Sequence, residues 1–517
     1  MSDYLDLIIE GNILTMSGSK PRAAAVGVKN GLISMTGAAT EVAEYAGKNT
    51  HFLKLSGKTV VPGFIDTHCH PVQVGNAALN VDLSPALSLY ELLKQVKEKI
   101  ADTPPGDLVL GLNFNYDTIK EHRLPTRSEL DGLSSEHPIL ILVYDVHSAM
   151  MNTRMLELVN IPQDMDGYIQ GEDGNPTGLV EDPAIALVLK KIAPQGETAL
   201  LTNIHAAMQE ALRVGITTLH MKEPYSQLQT VFKHELSFPI RVKPMFMIKS
   251  QDAEDLDHIL QSEIFRQRGV VAFFADGAPD SKTAAFFEPY PDELTNYGML
   301  YYQDDELEDL ISKTHRAGFQ ISVHTCGTRA SDQALNIYRK VLAKHPRADH
   351  RHRIEHFEMP LGNQIKRAVD LGVSLAMQPM FLFLSGRDTF ENIRSLLGTE
   401  RANRWKPLRS ILDAGGLVAG GSDAPVTKMN PLKGIQACIN HPNKHQRITL
   451  YEALKLFTVN AARIGFEEHS KGRIEAGKLA DFTVLSHDPN SVNRDEVGEI
   501  GVEMTIVGGK VVFSKSS

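Results

Sequence analysis

Two histidines one residue apart close the apolar run Val60-Val61-Pro62-Gly63-Phe64-Ile65-Asp66-Thr67-His68-Cys69-His70. In an extended strand residues i and i+2 project from the same face, so His68 and His70 can reach one ion while Cys69 points away. A His-x-His pair is a weak signal alone, because histidines also serve as ordinary core and surface residues. Three further residues strengthen it. His324 closes Ile321-Ser322-Val323, His356 closes Arg353-Ile354-Glu355, and Asp423 follows Val418-Ala419-Gly420-Gly421-Ser422. Four imidazoles and one carboxylate at the ends of four short runs form a donor set that divalent cations favour, Zn²⁺ above all. The chemistry such a set supports is hydrolysis. A bound ion acidifies water and polarises a carbonyl, and Asp423 can carry the proton from that water to the leaving group.

These residues must be brought to one place by the elements that carry them. With 517 residues, the chain is long enough for about three domains of 150 residues, or one large barrel with attachments. Buried-strand patterns alternate with amphipathic helical ones, the signature of a parallel sheet. Eight runs read as barrel strands: Val60 to Asp66, Ile216 to His220, Ile240 to Met247, Val270 to Asp276, Gln320 to His324, Arg353 to His356, Val373 to Gln378 and Leu417 to Asp423. Helical patterns such as Leu307 to Ala317, Ala330 to Ala343 and Leu408 to Ala414 fall between them. In a closed eight-stranded barrel the C-terminal strand ends build the active site.

Both chain ends carry short β-prone runs, among them Asp481 to Leu485 and Glu503 to Val507, and Asn30-Gly31 is a tight hairpin signal. The expected fold class is therefore α/β. A (β/α)8 TIM-like barrel spans 59–469, and a small β-sandwich is formed by 1–58 with 470–517. The barrel's first strand is followed by an insertion subdomain, 74–200, over the active-site mouth, with a helix at Leu89 to Ile100 and a strand at Ile139 to Tyr144.

Composition narrows the function class. At 42% hydrophobic and 22% charged the chain is an ordinary globular one. Lys+Arg 53 against Asp+Glu 63 leaves a net charge of −10 without a basic cluster, which argues against nucleic acid as a partner. Three scattered cysteines suit a reducing compartment, the N-terminal residues lack a signal-peptide pattern, and no apolar run reaches the roughly 18 residues of a membrane span. A cytoplasmic protein without a membrane partner is expected.

The order His68-x-His70, His324, His356, Asp423 resembles the amidohydrolase superfamily of metal-dependent hydrolases over essentially the whole chain. A branch similar to N-substituted formamide deformylase is indicated by His147-Ser148 with Asn152, Gly174-Asn175-Pro176-Thr177-Gly178, Ala275-Asp276-Gly277, Gln378-Pro379 and Gly421-Ser422-Asp423-Ala424-Pro425. The resemblance implies a barrel flanked by a β-sandwich, one or two zinc ions, a small amide-like substrate and a homodimer. It also implies that His68, His70, His324, His356 and Asp423 hold the metal, with Asp423 and His356 taking part in catalysis.

Two departures matter. The family's bridging lysine, four residues before the Asp-Gly, is Ala272 here, and Lys222, just beyond the second expected strand, is either a replacement carbamylated bridge or a surface lysine. Relatives that deaminate place a glutamate three residues after the strand-five histidine, where this chain has Gly327. His220, Arg329, Asn115 and His147 are candidate substrate contacts, Arg329 alternatively a helix-start cation, and Cys326 a soft ligand or a core cysteine. The preferred function is hydrolysis of a non-peptide C–N bond. The alternatives are a mononuclear hydrolase of a cyclic amide or other carbonyl compound, with His356 as electrophile, and a non-catalytic metal-binding relative.

Overall fold

A computed structural model of the chain describes residues 4–116, 118–143, 148–181, 184–192, 196–248, 253–383 and 389–515. The apolar runs that end in the histidines form one eight-stranded parallel sheet. Its strands are β1 (Phe64–Cys69), β2 (Ile216–Pro224), β3 (Arg241–Met247), β4 (Val270–Phe274), β5 (Gln320–Thr325), β6 (Arg353–His356), β7 (Ser374–Met377) and β8 (Leu417–Gly420). They follow one another around the sheet in chain order, and the ring is completed at its two edges. Asp423 N–H donates to His68 O (2.7 Å), His70 N–H donates to Ala424 O (2.9 Å), and Cys69 and Ala424 form a parallel bridge. The approach needs glycine at 421, where a Cβ would lie 2.8 Å from His68 N. This is the expected (β/α)8 barrel.

Expected boundaries shift by one to three residues at β3, β4, β5, β7 and β8, and two larger shifts bear on the site. Val60 and Val61 belong to the long strand Ala46–Pro62 of another sheet, and β1 begins only at Phe64. The apolar run is continuous, but it changes sheets at Pro62-Gly63, where proline has no N–H to give a ladder and Gly63 N–H donates to Asp481 O. β2 continues four residues past His220, so Lys222 lies within it rather than beyond it and is fully buried.

The two chain ends build one seven-stranded sheet, containing Leu5–Leu14, Arg22–Lys29, Leu32–Gly37 and Ala46–Pro62 from the front and Phe482–Leu485, Val502–Val507 and Lys510–Ser514 from the back. Ile9, Ile13, Val26, Val60, Phe482 and Ile506 form its core. Asn30 and Gly31 have φ of 51° and 74°, and Lys29 pairs with Leu32, the geometry of a two-residue primed hairpin.

By contacts the chain divides into two units, Met1–Pro71 with Met208–Ser517, and Val72–Ala207. The second unit has its own six-stranded sheet, including Val109–Phe114, Ile139–Val143 and Ser148–Met151, with an apolar cluster on each face. Its helix Leu89–Ala101 starts at Ser88, whose side chain accepts from Glu91 N–H.

Below β5 and β6 three buried histidines form a chain of fixed tautomers. Ile321 N–H donates to His352 Nδ1 (3.1 Å), so the His352 proton sits on Nε2 and goes to His315 Nδ1 (2.8 Å). His315 Nε2 then donates to His345 O, and His350 accepts from the His352 amide and donates to Leu371 O. Every ring is used in its neutral form, and burial holds all three below the ordinary value of 6.5. As pH falls through about 6.5 the unfolded chain takes up protons that the folded chain refuses, so the native state loses stability below that pH and not above it. We expect a Tm that is level above about pH 6.5 and falls steadily toward pH 5. A His315→Gln, His350→Gln variant should fall less steeply in the same calorimetric series.

Candidate metal centre and cavity

His68 stands on the inward face of β1, and its ring is oriented from behind. Its Nδ1 lies 2.7 Å from Glu355 Oε2, so Nδ1 carries the proton and donates it, leaving Nε2 as a lone pair facing the strand ends. Glu355 is itself fully buried and accepts from Ser322 Oγ (2.7 Å) and pairs with Arg353 Nε (2.9 Å). Burial pushes its carboxyl up, but Arg353 and His68 outweigh that and hold it at about 2. A permanent carboxylate therefore fixes the tautomer of His68.

His68 Nε2 and His70 Nε2 lie 3.1 and 3.3 Å from one oxygen of Asp423. Ligand atoms of these three residues fall within 4.8 Å of one another, and His68 Nε2 has no partner in hydrogen-bonding geometry. Two imidazoles and a carboxylate converging on a single point, with a lone pair unmet, match the donor set of a divalent cation. Burial alone would raise the Asp423 carboxyl, yet His68, His70 and His356 hold it well below the usual range. Asp66 supports the arrangement by accepting from the amides of His68 (3.1 Å) and Ser422 (3.0 Å), which ties β1 to the residue before Asp423. Burial pushes Asp66 up to about 6.

His324 and His356 complete the set. The register of β5 against β6 places His324 beside Glu355, and the rings of His324 and His356 lie 4.3 Å apart between centroids. His324 Nε2 is 3.2 Å from Gly277 O, to which it donates, and 3.5 Å from Cys326 Sγ. Burial brings His324 down to about 3 and His356 well below its usual value, so both rings are neutral and able to ligate. His356 adopts φ 69°, and its Nε2 is 3.9 Å from the second oxygen of Asp423. The structure thus gathers His68, His70 and Asp423 into one group of converging ligand atoms and sets His324 and His356 beside it, where their ligand atoms also group with Cys326, together with Asp276 in the first case and Glu358 in the second.

Beside them opens a cavity of about 720 Å³, lined by His324, Cys326, His356 and Asp423 at one end. Phe381, Ile393, Leu396, Trp405 and Val426 supply apolar wall. Asp280 and Glu358 supply carboxylates. Glu358 reaches the wall because His356 and Phe357 both have positive φ (69° and 46°), which turns the chain after β6. Its oxygens are taken from behind by Lys406 Nζ (2.5 Å) and Trp405 Nε1 (2.5 Å), both buried. Glu358, Lys406 and Trp405 have no precedent in the sequence reading. They come together across nearly fifty positions, without any periodicity to announce it.

His220 and Arg329 do not line the cavity. His220 is fully buried inside the barrel, between Arg353 Nη1 (3.1 Å) and Glu467 Oε2 (3.7 Å). Arg329 serves its helix start: its amide donates to Ala285 O and its guanidinium to Gly298 O. Asn115 follows a strand of the second unit, where its carbonyl accepts from Thr118 Oγ1 (2.8 Å). His147 lies outside the described residues. Cys326 lines the cavity, with Sγ 3.5 Å from His324 Nε2. Cys69 turns away from the ligands, as expected, toward His220 O. Gly327 is explained sterically, because a Cβ there would lie 1.9 Å from Ala285 O, so no glutamate fits. Its amide, with those of Cys326 and Ala285, is taken by Asp276, whose carboxyl burial pushes up to about 7.

Comparison with known proteins bears on the family and the fold. A pattern described as the amidohydrolase family matches residues 53–513. The chain is 30% identical to YtcJ of Bacillus subtilis (strain 168), over 98% of this chain and 99% of that protein. It is also 30% identical to N-substituted formamide deformylase of Arthrobacter pascens, over 100% of both. The crystal structure of an uncharacterized metal-dependent hydrolase from Pyrococcus furiosus, 24% identical, shares the fold with a TM-score of 0.76 over 93% of this chain and 99% of that one.

Proposed function

The chain belongs to the amidohydrolase family, and from that membership we propose that it hydrolyses a non-peptide carbon–nitrogen bond of a small amide-like molecule with water activated by a divalent metal. The observation that carries the reading is the convergence of His68, His70 and Asp423 within 4.8 Å at the end of a cavity that also exposes His324 and His356. Zinc is the ion proposed first, since four imidazoles and one carboxylate suit it. When bound there, such an ion acidifies water and polarises a carbonyl oxygen.

The chain's own residues do the rest. His68, His70, His324, His356 and Asp423 would hold the ion, and Glu355 keeps His68 in the ligating tautomer. Asp423 has one oxygen against His68 and His70 and the other toward His356, and it lines the cavity. From that position it can take a proton from the attacking water and deliver it to the departing nitrogen. The apolar wall of Phe381, Ile393, Leu396, Trp405 and Val426 suits an amide bearing an apolar substituent. The relative named N-substituted formamide deformylase makes N-substituted formamides the first compounds to try. Three buried free cysteines support a reducing, cytoplasmic setting, and a homodimer is proposed with it; among the described residues no helix is long and apolar enough to cross a membrane.

A single-metal variant of the reading rests on Ala272, which is buried on β4 where the family has its bridging lysine. His356 would then face the substrate as electrophile.

The test is amine release from a panel of N-substituted formamides and other small amides, before and after chelation. Turnover that disappears on chelation and returns with zinc is the expected result. No turnover of any member by the metal-replete protein would overturn the assignment and favour a metal-binding protein without catalysis.

A further inference from the structure

Thr218, His220 and Lys222 share one face of β2, which points into the barrel. Thr218 accepts from Lys471 Nζ (3.3 Å) and His220 meets Arg353 and Glu467. Lys222 meets nothing of the kind. Its side chain is fully buried, its Nζ has no hydrogen-bond partner among the described residues, and it stands 4.1 Å from the centroid of the Phe274 ring. That same ring lies 5.3 Å from the ring of His324. Through Phe274 Lys222 thus neighbours His324, and its charge is felt by His68, His70, His324, Glu355 and Asp423.

A bare amine fits this place poorly. As an ammonium it repels the cation that the surrounding imidazoles are arranged to receive, and as a free amine it leaves its N–H groups buried and unpaired. Conversion to a carbamate reverses the first and reduces the second to a single N–H. On β4 the inward position that would face the centre is Ala272, which offers only a methyl group. Rotamer changes of Lys222 do not help, since the amine would remain a cation or an unpaired donor wherever it turned within the buried centre.

We propose that Lys222 is carbamylated by carbon dioxide and that its carbamate is the bridging carboxylate of the centre, supplied from β2 in place of β4. The Nζ lone pair forms a bond to the carbon of carbon dioxide, one C=O pair moves onto oxygen, and a proton leaves to solvent, giving –NH–COO⁻ from –NH₂. The carboxylate so formed would offer two oxygens as ligands, with His68, His70 and Asp423 on one side and His324 and His356 on the other as the residues that would hold the ions. The inference rests on reading the centre as a metal site. The competing donor is Cys326, whose Sγ is 3.5 Å from His324 Nε2.

The test uses the full-length protein loaded with zinc in ¹³C-bicarbonate, read by ¹³C NMR and by metal content per chain. One protein-bound carbamate resonance with about two metal ions per chain is expected. Preparation without bicarbonate, or Lys222→Met, should remove the resonance and lower the metal content to about one ion or less. Acetate or propionate should restore the lost ion to Lys222→Ala, and Cys326→Ala should keep both resonance and ions. In Lys222→Ala, Ala272→Lys the resonance should return. Two ions per chain without a carbamate resonance, or loss of an ion in Cys326→Ala alone, overturns the carbamate and leaves the metal centre standing. A wild-type chain that takes up no metal under either condition overturns the centre itself, and because the resonance is read on wild type, a variant that fails to fold does not shield the proposal.

Discussion

Asp423→Asn is expected to lower kcat for amide hydrolysis by about a thousandfold or more while the barrel stays folded, the upper range for loss of a positioned acid–base group. Asparagine is the demanding substitution because it keeps the shape. Asp423 sits at φ 56°, a left-handed conformation that asparagine also adopts readily, and its amide N–H to His68 O is unaffected by the side chain. What changes is the charge facing two imidazoles and the capacity to carry a proton into the cavity. Metal content measured on the same sample separates the two losses: an ion retained with turnover gone points to proton transfer, an ion lost points to ligation. Activity within tenfold of wild type, with metal bound, would remove Asp423 from the mechanism.

The largest effect on stability is expected one layer deeper, at Arg353. This fully buried guanidinium pairs with Glu355 through Nε (2.9 Å), donates to His220 Nδ1 through Nη1 (3.1 Å) and to Thr67 O through Nη2 (2.7 Å). Arg353→Met keeps most of the stem but strands a carboxylate, an imidazole nitrogen and a carbonyl inside the barrel. Removing one partner of such a buried pair costs about 3–5 kcal/mol, and equilibrium denaturation is the measurement. Adding Glu355→Gln to Arg353→Met should recover part of that loss, because the uncompensated charge is gone. Strict additivity of the two losses would show that the pair is not what makes Arg353 costly to replace. Glu355→Gln alone should weaken metal binding by about 10- to 100-fold, since His68 loses the carboxylate that fixes its tautomer.

The five candidate ligands are legible in the sequence because parallel barrel strands are short apolar runs and these residues lie at or just past their ends. A period of two puts His68 and His70 on one face, and the strand order brings His324, His356 and Asp423 to the same end. Asn30-Gly31 was legible for a local reason, two adjacent residues that tolerate positive φ. The misread residues depend on what lies across space. Val60-Val61 and Phe64-Ile65 form one apolar run, and only the pairing partners reveal that it serves two sheets. Lys222 looked like a residue past a strand end because a lysine inside a barrel contradicts local pattern; nothing short of the packing around β2 shows that the strand continues. Glu355 has no legible role in the sequence, since its partners Ser322, Arg353 and His68 come from three strands. Glu358 needed the turn at His356 and Phe357, and its partners Lys406 and Trp405 arrive from a separate segment.

The closing seam of the barrel bears on the order in which the protein is made. Asp66 and Ser422, 356 positions apart, are joined there, and the first and last strands meet through the very residues that carry His68, His70 and Asp423. A ribosome delivers His68 and His70 early and Asp423 only after the seven further barrel strands, β2 to β8, have been made. A partly synthesised or partly refolded chain can therefore offer the paired imidazoles but not the carboxylate, and should bind an ion only weakly. Tight loading would come at the end, when the last strand has docked against the first. A bound ion would then act as a clasp that holds a finished ring shut, and a chain in which the ring has not closed would be left unloaded and without catalytic power.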